Sequence, residues 1–257
     1  MPAERSQSRS TNAYLYELDN MTKEETISIQ RYARAAGILF VLTLAFGFFG
    51  EAYAPARFIV AGDAAATARN ITASPMLYRL GFASYLIEGL CDVALAWIFY
   101  VLLRAVNREI ALLSAFFGLV STAVYAVSEL FYFAALVILR NAAALAAFSP
   151  DQLNALALLS LKISANCGWI FLAFYGVPSV LRGYLIYRSR YLPKFLGVLL
   201  IIAGFGFITK DFLVVLAPNY ASNLLLAPMF LAGLALMFWF LFKGVDAEEW
   251  QRQKERQ

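Results

Sequence analysis

Six separate stretches of this chain are apolar over the length needed to cross a bilayer: 35–54, 80–103, 110–139, 153–181, 194–217 and 223–242. A hydrocarbon core of about 30 Å takes roughly 20 residues of helix, since the backbone must satisfy its own hydrogen bonds there. None of the six alternates apolar and polar residues as a membrane strand does, which argues against a barrel. The third and fourth are longer than required and predict tilt or extension past the membrane. Composition closes off the soluble alternative, because 61% of the 257 residues are hydrophobic and only 15% are charged. A soluble domain uses about 25% charged residues. Two cysteines are too few for a disulfide scaffold, and the absence of histidine removes the commonest metal ligand and acid–base side chain. The predicted fold is all-α, a polytopic bundle of six transmembrane helices.

The flanks divide the chain into a polar tail (1–30), the six-helix domain (31–245) and a charged tail (246–257). Thr22 and Glu25 form a capping box, so a helix is expected to start there and run into the first span. No short apolar core with a small-residue cleavage site opens the chain, and the first span is expected to act as an uncleaved anchor. Lys and Arg set the orientation. One side of the bundle holds 15 of them, in the two tails and in the connections around Arg104–Arg108 and 182–194. The other side holds four, Arg57, Arg69, Arg79 and Arg140. The positive-inside rule then places both termini in the cytoplasm of a cell with the chain in its inner (plasma) membrane. The same bias accounts for the net charge of +4, so nucleic acid is not an expected partner. The lipid bilayer is, and the oligomeric state stays open.

The long outer connection should carry its own short helix. Asp63 is placed to cap 64–73, and Ser74-Pro75 to end it. Ser149 with Pro150 opens the fourth span in the same way.

Ionisable groups inside a span cost at least about 2.5–3.5 kcal/mol each near the bilayer centre, so each asks for a reason. Span two holds Glu88 and Asp92, span three Glu129, span four Lys162, span five Lys210 and Asp211, and Glu51 closes span one. Glu88 and Asp92 are i, i+4 and share a face with Tyr85. Ser114, Gly118, Ser121, Thr122, Tyr125, Ser128, Glu129 and Tyr132 recur every three or four residues, a polar stripe along most of span three. Lys162 lies one turn from Asn166. Lys210 and Asp211 are consecutive, about 100° apart, and must look to other helices. Counting 1.5 Å per residue, Asp92 falls near the midplane and Glu88, Glu129, Lys162, Lys210 and Asp211 about 5–9 Å outward. The expectation is one buried polar cluster of Glu88, Asp92, Glu129, Lys162, Asn166, Lys210 and Asp211 with Tyr85 and Tyr125. Lys162 is expected within reach of Glu88 or Glu129, with snorkelling to the headgroups as the competing outcome.

No phosphate-binding loop, dinucleotide glycine pattern, nucleophile triad or zinc spacing is present, and no cofactor or metal is expected. Cys91 and Cys167 read as small apolar core groups. Gly168, Gly176, Gly197, Gly204 and Gly206 permit close helix approach.

Several runs resemble a known family. They are Gly62-Asp-Ala-Ala-Ala-Thr-Ala-Arg-Asn-Ile71, Arg79-Leu-Gly-Phe-Ala83, Leu90-Cys-Asp-Val-Ala-Leu95, Pro150-Asp-Gln-Leu153 with Ala155-Leu-Ala-Leu158, and Gly183-Tyr-Leu-Ile-Tyr-Arg-Ser189. The last continues into Tyr191-Leu-Pro193 and Leu196-Gly-Val-Leu199. In order and spacing they resemble a bacterial membrane family designated domain of unknown function four-three-eight-six. The resemblance implies a six-helix inner-membrane protein and brings no activity with it. Three readings of the polar groups stay open at this point: a carrier or binding protein for a proton, cation or small molecule; an intramembrane acid/base enzyme on a lipid or isoprenoid; or a structural or regulatory subunit whose polar groups join helices.

Overall fold

The computed structural model describes residues 27–141 and 145–256, without the Trp169 side chain. The capping box at Thr22 and most of the polar tail lie outside the described residues. In chain order the helices are α1 (Ile27–Phe58), α2 (Ala64–Ala73), α3 (Pro75–Leu103), α4 (Arg108–Arg140), α5 (Pro150–Arg188), α6 (Lys194–Leu216), α7 (Ala227–Phe242) and α8 (Ala247–Lys254). One 3₁₀ turn, Asn223–Leu226, leads into α7. All but α2 and α8 are long and apolar enough to span a membrane. Among the described residues there is no strand.

The boundaries follow local chemistry. Asp63 Oδ1 accepts the Ala66 N–H at 2.8 Å, and Asn107 Oδ1 accepts that of Ile110 at 2.9 Å. Ser149 and Gln152 cap each other's backbone N–H groups, with Pro150 in the first turn where a missing N–H costs nothing. The two long spans are as long as expected: 33 residues in α4 and 39 in α5, about 58 Å at 1.5 Å per residue.

Helix α4 turns its apolar residues outward and its polar ones inward. On α4 the exposed large side chains between its charged ends are all apolar, among them Leu112, Phe116, Leu119, Val127, Leu130 and Val137, while all eight residues of the polar stripe are buried. The α5–α6 pair is held differently, by backbone approach. A Cβ on Gly176 would lie 2.7 Å from the Gly204 carbonyl oxygen, and one on Gly183 would lie 2.6 Å from that of Gly197. Only glycine fits at such a crossing.

The two ends of the bundle are built from different side chains. Toward the basic connections the core is aliphatic and phenyl, around Phe99, Leu102, Leu196, Leu236 and Phe240. Toward the opposite end it is tyrosine-rich, with Tyr78, Tyr85, Tyr125 and Tyr132 beside Phe58 and Ile71. Helix α2 covers that end. Ile71 is fully buried, and the Asn70 amide donates to the Phe58 carbonyl at 3.2 Å.

The charged tail after residue 245 contains a helix docked on the bundle. Asp246 caps α8, and Trp250, 2% exposed, donates from Nε1 to the Leu102 carbonyl at 2.8 Å. Tyr191 donates to the same oxygen at 2.8 Å, and burial pushes its phenol above the ordinary range, so it stays a donor. One buried tryptophan among charged neighbours was the signal for this.

Candidate functional site

The site begins with a proline. Pro55 has no N–H to give, and the last turn of α1 before it widens to π geometry over Phe48–Tyr53, where the Ala54 N–H bonds back to Phe49. The Gly50 carbonyl therefore has no helical donor. Tyr85 on α3 supplies one, its hydroxyl donating at 2.8 Å. The same turn carries Glu51, whose Oε1 accepts the Tyr125 hydroxyl at 2.9 Å.

Glu88 on α3 meets the same hydroxyl. Its Oε2 lies 3.2 Å from Tyr125 Oη, and its other oxygen would be 2.9 Å from a Cβ on Gly47. The missing side chain at Gly47 is the space that this carboxyl occupies. A phenol carries one proton. With Glu51 and Glu88 both against the Tyr125 oxygen, one contact is a bond donated by the phenol, and the other is a hydrogen bond only when that carboxyl carries a proton.

Glu129 completes the set from α4. It is 7% exposed, and its Oε2 has no hydrogen-bond partner. The Tyr132 hydroxyl, in a side chain 3% exposed, is likewise unpartnered, and it faces the open Cβ position of Gly81. Tyr85 stands edge-on to Tyr125 and to Tyr132, at 5.8 and 5.5 Å between ring centres, and Phe171 of α5 closes against Tyr125 at 4.9 Å. All three glutamates lie within electrostatic reach of the Tyr85 hydroxyl. Glu51 is exposed and Glu88 half-buried, so the group reaches the surface on the α1 side.

Asp92, one turn below Glu88, lies within electrostatic reach of both Glu88 and Glu51 and extends the acidic group toward α5. It is half-buried and feels the field of Arg182, which α5 carries into the core. Arg182 is 7% exposed, donates from Nε to Ser114 Oγ at 3.2 Å and lies over the Phe99 ring at 4.8 Å. The space for its guanidinium is the bare Cα of Gly118, where a Cβ would stand 2.8 Å from Nη2. Sequence reasoning counted Arg182 as a loop charge because its apolar window ends at Leu181. The helix continues to Arg188, and the small residues of the α4 stripe were the signal for a large inward neighbour. Moving Arg182 inside takes one charge from the 15 and does not reverse the bias.

The remaining residues of the expected cluster stand apart. Lys162 and Asn166 are both exposed on α5, where Asn166 Nδ2 donates to the Lys162 carbonyl at 2.7 Å. Among the described residues Lys162 has no carboxylate in ion-pair contact. Lys210 is 1% exposed and gives its ammonium to Asn223 Oδ1 at 2.5 Å, in the turn before α7. Asp211 is buried beside it with Oδ1 unpartnered. The expected single cluster is thus divided: Glu88, Glu129 and Asp92 stay within reach of one another around Glu51 and the tyrosines, with Asp92 on the Arg182 side, while Lys162 with Asn166 and the α6 pair stand apart. Equal depth in the bilayer fixes height and leaves the direction around each helix axis free.

The three glutamates converge through tyrosine without forming a compact donor shell, and among the described residues no group of carboxylates is placed to hold a metal ion. Their arrangement suits a proton or a cation wide enough to bridge them, with ring faces alongside.

Six apolar helices with charge turned inward define a multi-pass membrane protein. The chain belongs to the family described as domain of unknown function DUF4386, whose model matches residues 35–244. It is also 28% identical to an uncharacterized protein of Archaeoglobus fulgidus over 163 residues, 62% of this chain and 80% of that one. No solved structure matches it.

Proposed function

We propose that this protein binds a proton or a small organic cation at Glu51, Glu88 and Glu129, on the extracytoplasmic side of a plasma membrane with both termini in the cytoplasm. The observation that carries this reading is the shared Tyr125 hydroxyl, with a buried, unpartnered carboxylate oxygen on Glu129 beside it. Three acids from α1, α3 and α4 around one phenol repel one another when ionised, and a proton or an ammonium group relieves that repulsion. The tyrosine rings add quadrupole attraction for an alkylated ammonium. The lysine-poor end of the bundle faces outward under the positive-inside rule, and the site lies toward it.

The test is thermal unfolding of the purified protein in nanodiscs with sodium, potassium, methylammonium or tetramethylammonium chloride at constant ionic strength. One of the organic cations should raise the melting temperature of the wild type above sodium, and Glu88→Gln should remove that difference. Acidification should weaken the effect in the wild type, because protons compete for the same carboxylates. Equal melting temperatures in all four salts would defeat the organic-cation reading, and a wild type and Glu88→Gln variant with the same dependence of melting temperature on pH would defeat the proton reading.

A second reading, acid/base chemistry on a lipid or isoprenoid, draws on one further feature. A crevice of about 330 Å³ opens between α1 and α3, lined by Ala45, Phe46, Phe49, Leu80, Ser84 and Ile87. It is apolar, and its lining residue Ile87 directly precedes Glu88 on α3, so an alkyl chain held there would lie one residue along the helix from that carboxyl's Cα. Turnover of a lipid substrate that Glu88→Gln abolishes would favour this reading over simple binding.

A further inference from the structure

A cleft lies at the other end of the bundle, lined by none of the glutamates. It has a volume of about 570 Å³ and lies where the C-terminus of α5 meets the starts of α4 and α6, with α8 at its edge. Arg188, Arg190 and Lys194 line it, and no carboxylate does. All three are exposed, and none has an acidic partner in ion-pair contact among the described residues. Three cations on one concavity repel, and a protein surface normally intersperses acids to relieve this. The nearest ion pairs are on α8, where Arg252 is occupied by Glu248 and Glu249.

We propose that this cleft binds a phosphate group, held by Arg188, Arg190 and Lys194. Phosphate offers several strong acceptor oxygens, and guanidinium groups match it with paired donors. The frame is fixed on both sides. The Arg190 N–H donates to Gln253 Oε1 of α8 at 3.1 Å, and the Lys194 ammonium lies over the Tyr187 ring at 5.6 Å. Tyr184 and Tyr187 are 43% and 46% exposed, the amphipathic rings that settle at headgroup depth. The helix α6 begins at the lining residue Lys194 with no side-chain cap, so its positive dipole end lies at the cleft's edge. A phosphodiester of an anionic lipid and a soluble phosphate both have the required chemistry, and basic pockets between spanning helices at this depth take lipid headgroups.

Two ligands distinguish the sources. The protein in detergent is titrated with short-chain phosphatidylglycerol, with phosphatidylcholine of the same chain length as control, and separately with inorganic phosphate. Stabilisation on unfolding is the readout. Phosphatidylglycerol should stabilise and phosphatidylcholine should not, and the triple variant Arg188→Gln, Arg190→Gln, Lys194→Gln should bind at least tenfold more weakly. Arg188→Lys with Arg190→Lys should recover part of the affinity, which a general loss of folding would not allow. Arg252→Gln with Lys254→Gln on the same end should bind like the wild type. Protection by inorganic phosphate that the triple variant loses would assign the cleft to a soluble phosphate. Equal binding by the wild type and the triple variant, or no binding of either ligand, would overturn the proposal. The glutamate site is untouched by these substitutions, so the outcome is independent of its role.

Discussion

Helices α4 and α5 are neighbours of similar composition, and they use their polar residues in opposite ways. On α4 eight polar or small residues follow the helical period, and every one is buried. On α5 the polar residues face both directions. Ser160, Ser164, Ser179 and Arg182 are buried, while Lys162 and Asn166 are exposed. A run in register has one direction that buries all its members, so the packing chooses it. Isolated polar residues have no such agreement. Helix α5 is also far longer than a bilayer is thick, so Lys162, twelve residues from its start, is close enough to the headgroups to keep its ammonium wet.

Four substitutions break or sharpen this contrast, each read as stability in detergent. The largest effect belongs to Arg182, the one cation that α5 turns inward. Arg182→Met should cost about 3 kcal/mol, because it strands Ser114 and leaves Asp92 without an opposing charge. If it costs nothing, the inward face of α5 is not held by charge. Next is Gly183→Val, which forces a side chain into the Gly197 carbonyl and should cost about 2–3 kcal/mol. A neutral result would mean that α5 and α6 do not cross as closely as described.

Ser121→Ala tests the α4 stripe one member at a time. Its hydroxyl donates to the Phe171 carbonyl at 3.4 Å, a long bond, and the loss should be about 0.6 kcal/mol. Smallest of all is Lys162→Gln, which should stay within about 0.5 kcal/mol of the wild type. A loss comparable to that of Arg182→Met would return Lys162 to the core.

The stripe, the spans and the caps at Asp63 and Ser149 were legible because each is a local pattern with one physical solution. The partners of Glu88 and Asp92 were not. Both share a face of α3 and feel each other's charge, yet Glu88 meets the Tyr125 hydroxyl while Asp92 alone of the two also feels Arg182. That division depends on which helices lie against each turn, and no spacing within α3 contains it. Glu51 was seen at the end of span one but left out of the cluster. Its inclusion goes with the π turn before Pro55, which carries Glu51 within hydrogen-bond reach of Tyr125 on α4. Proline four residues after an acid at the end of a span is a usable sign for that event.

The central claim is that Glu51, Glu88 and Glu129 form one site while Lys162, at similar depth, stands outside it. Paired cysteines test this most directly, in a chain with Cys91 and Cys167 replaced by alanine. Glu51→Cys with Glu88→Cys places two thiols around the Tyr125 hydroxyl, and a short bifunctional maleimide should link them in high yield. Lys162→Cys with Glu88→Cys should remain unlinked under the same conditions, while Lys162→Cys reacts readily with a water-soluble maleimide. Efficient linkage of Lys162→Cys to Glu88→Cys, together with none between the two glutamate positions, would contradict the account.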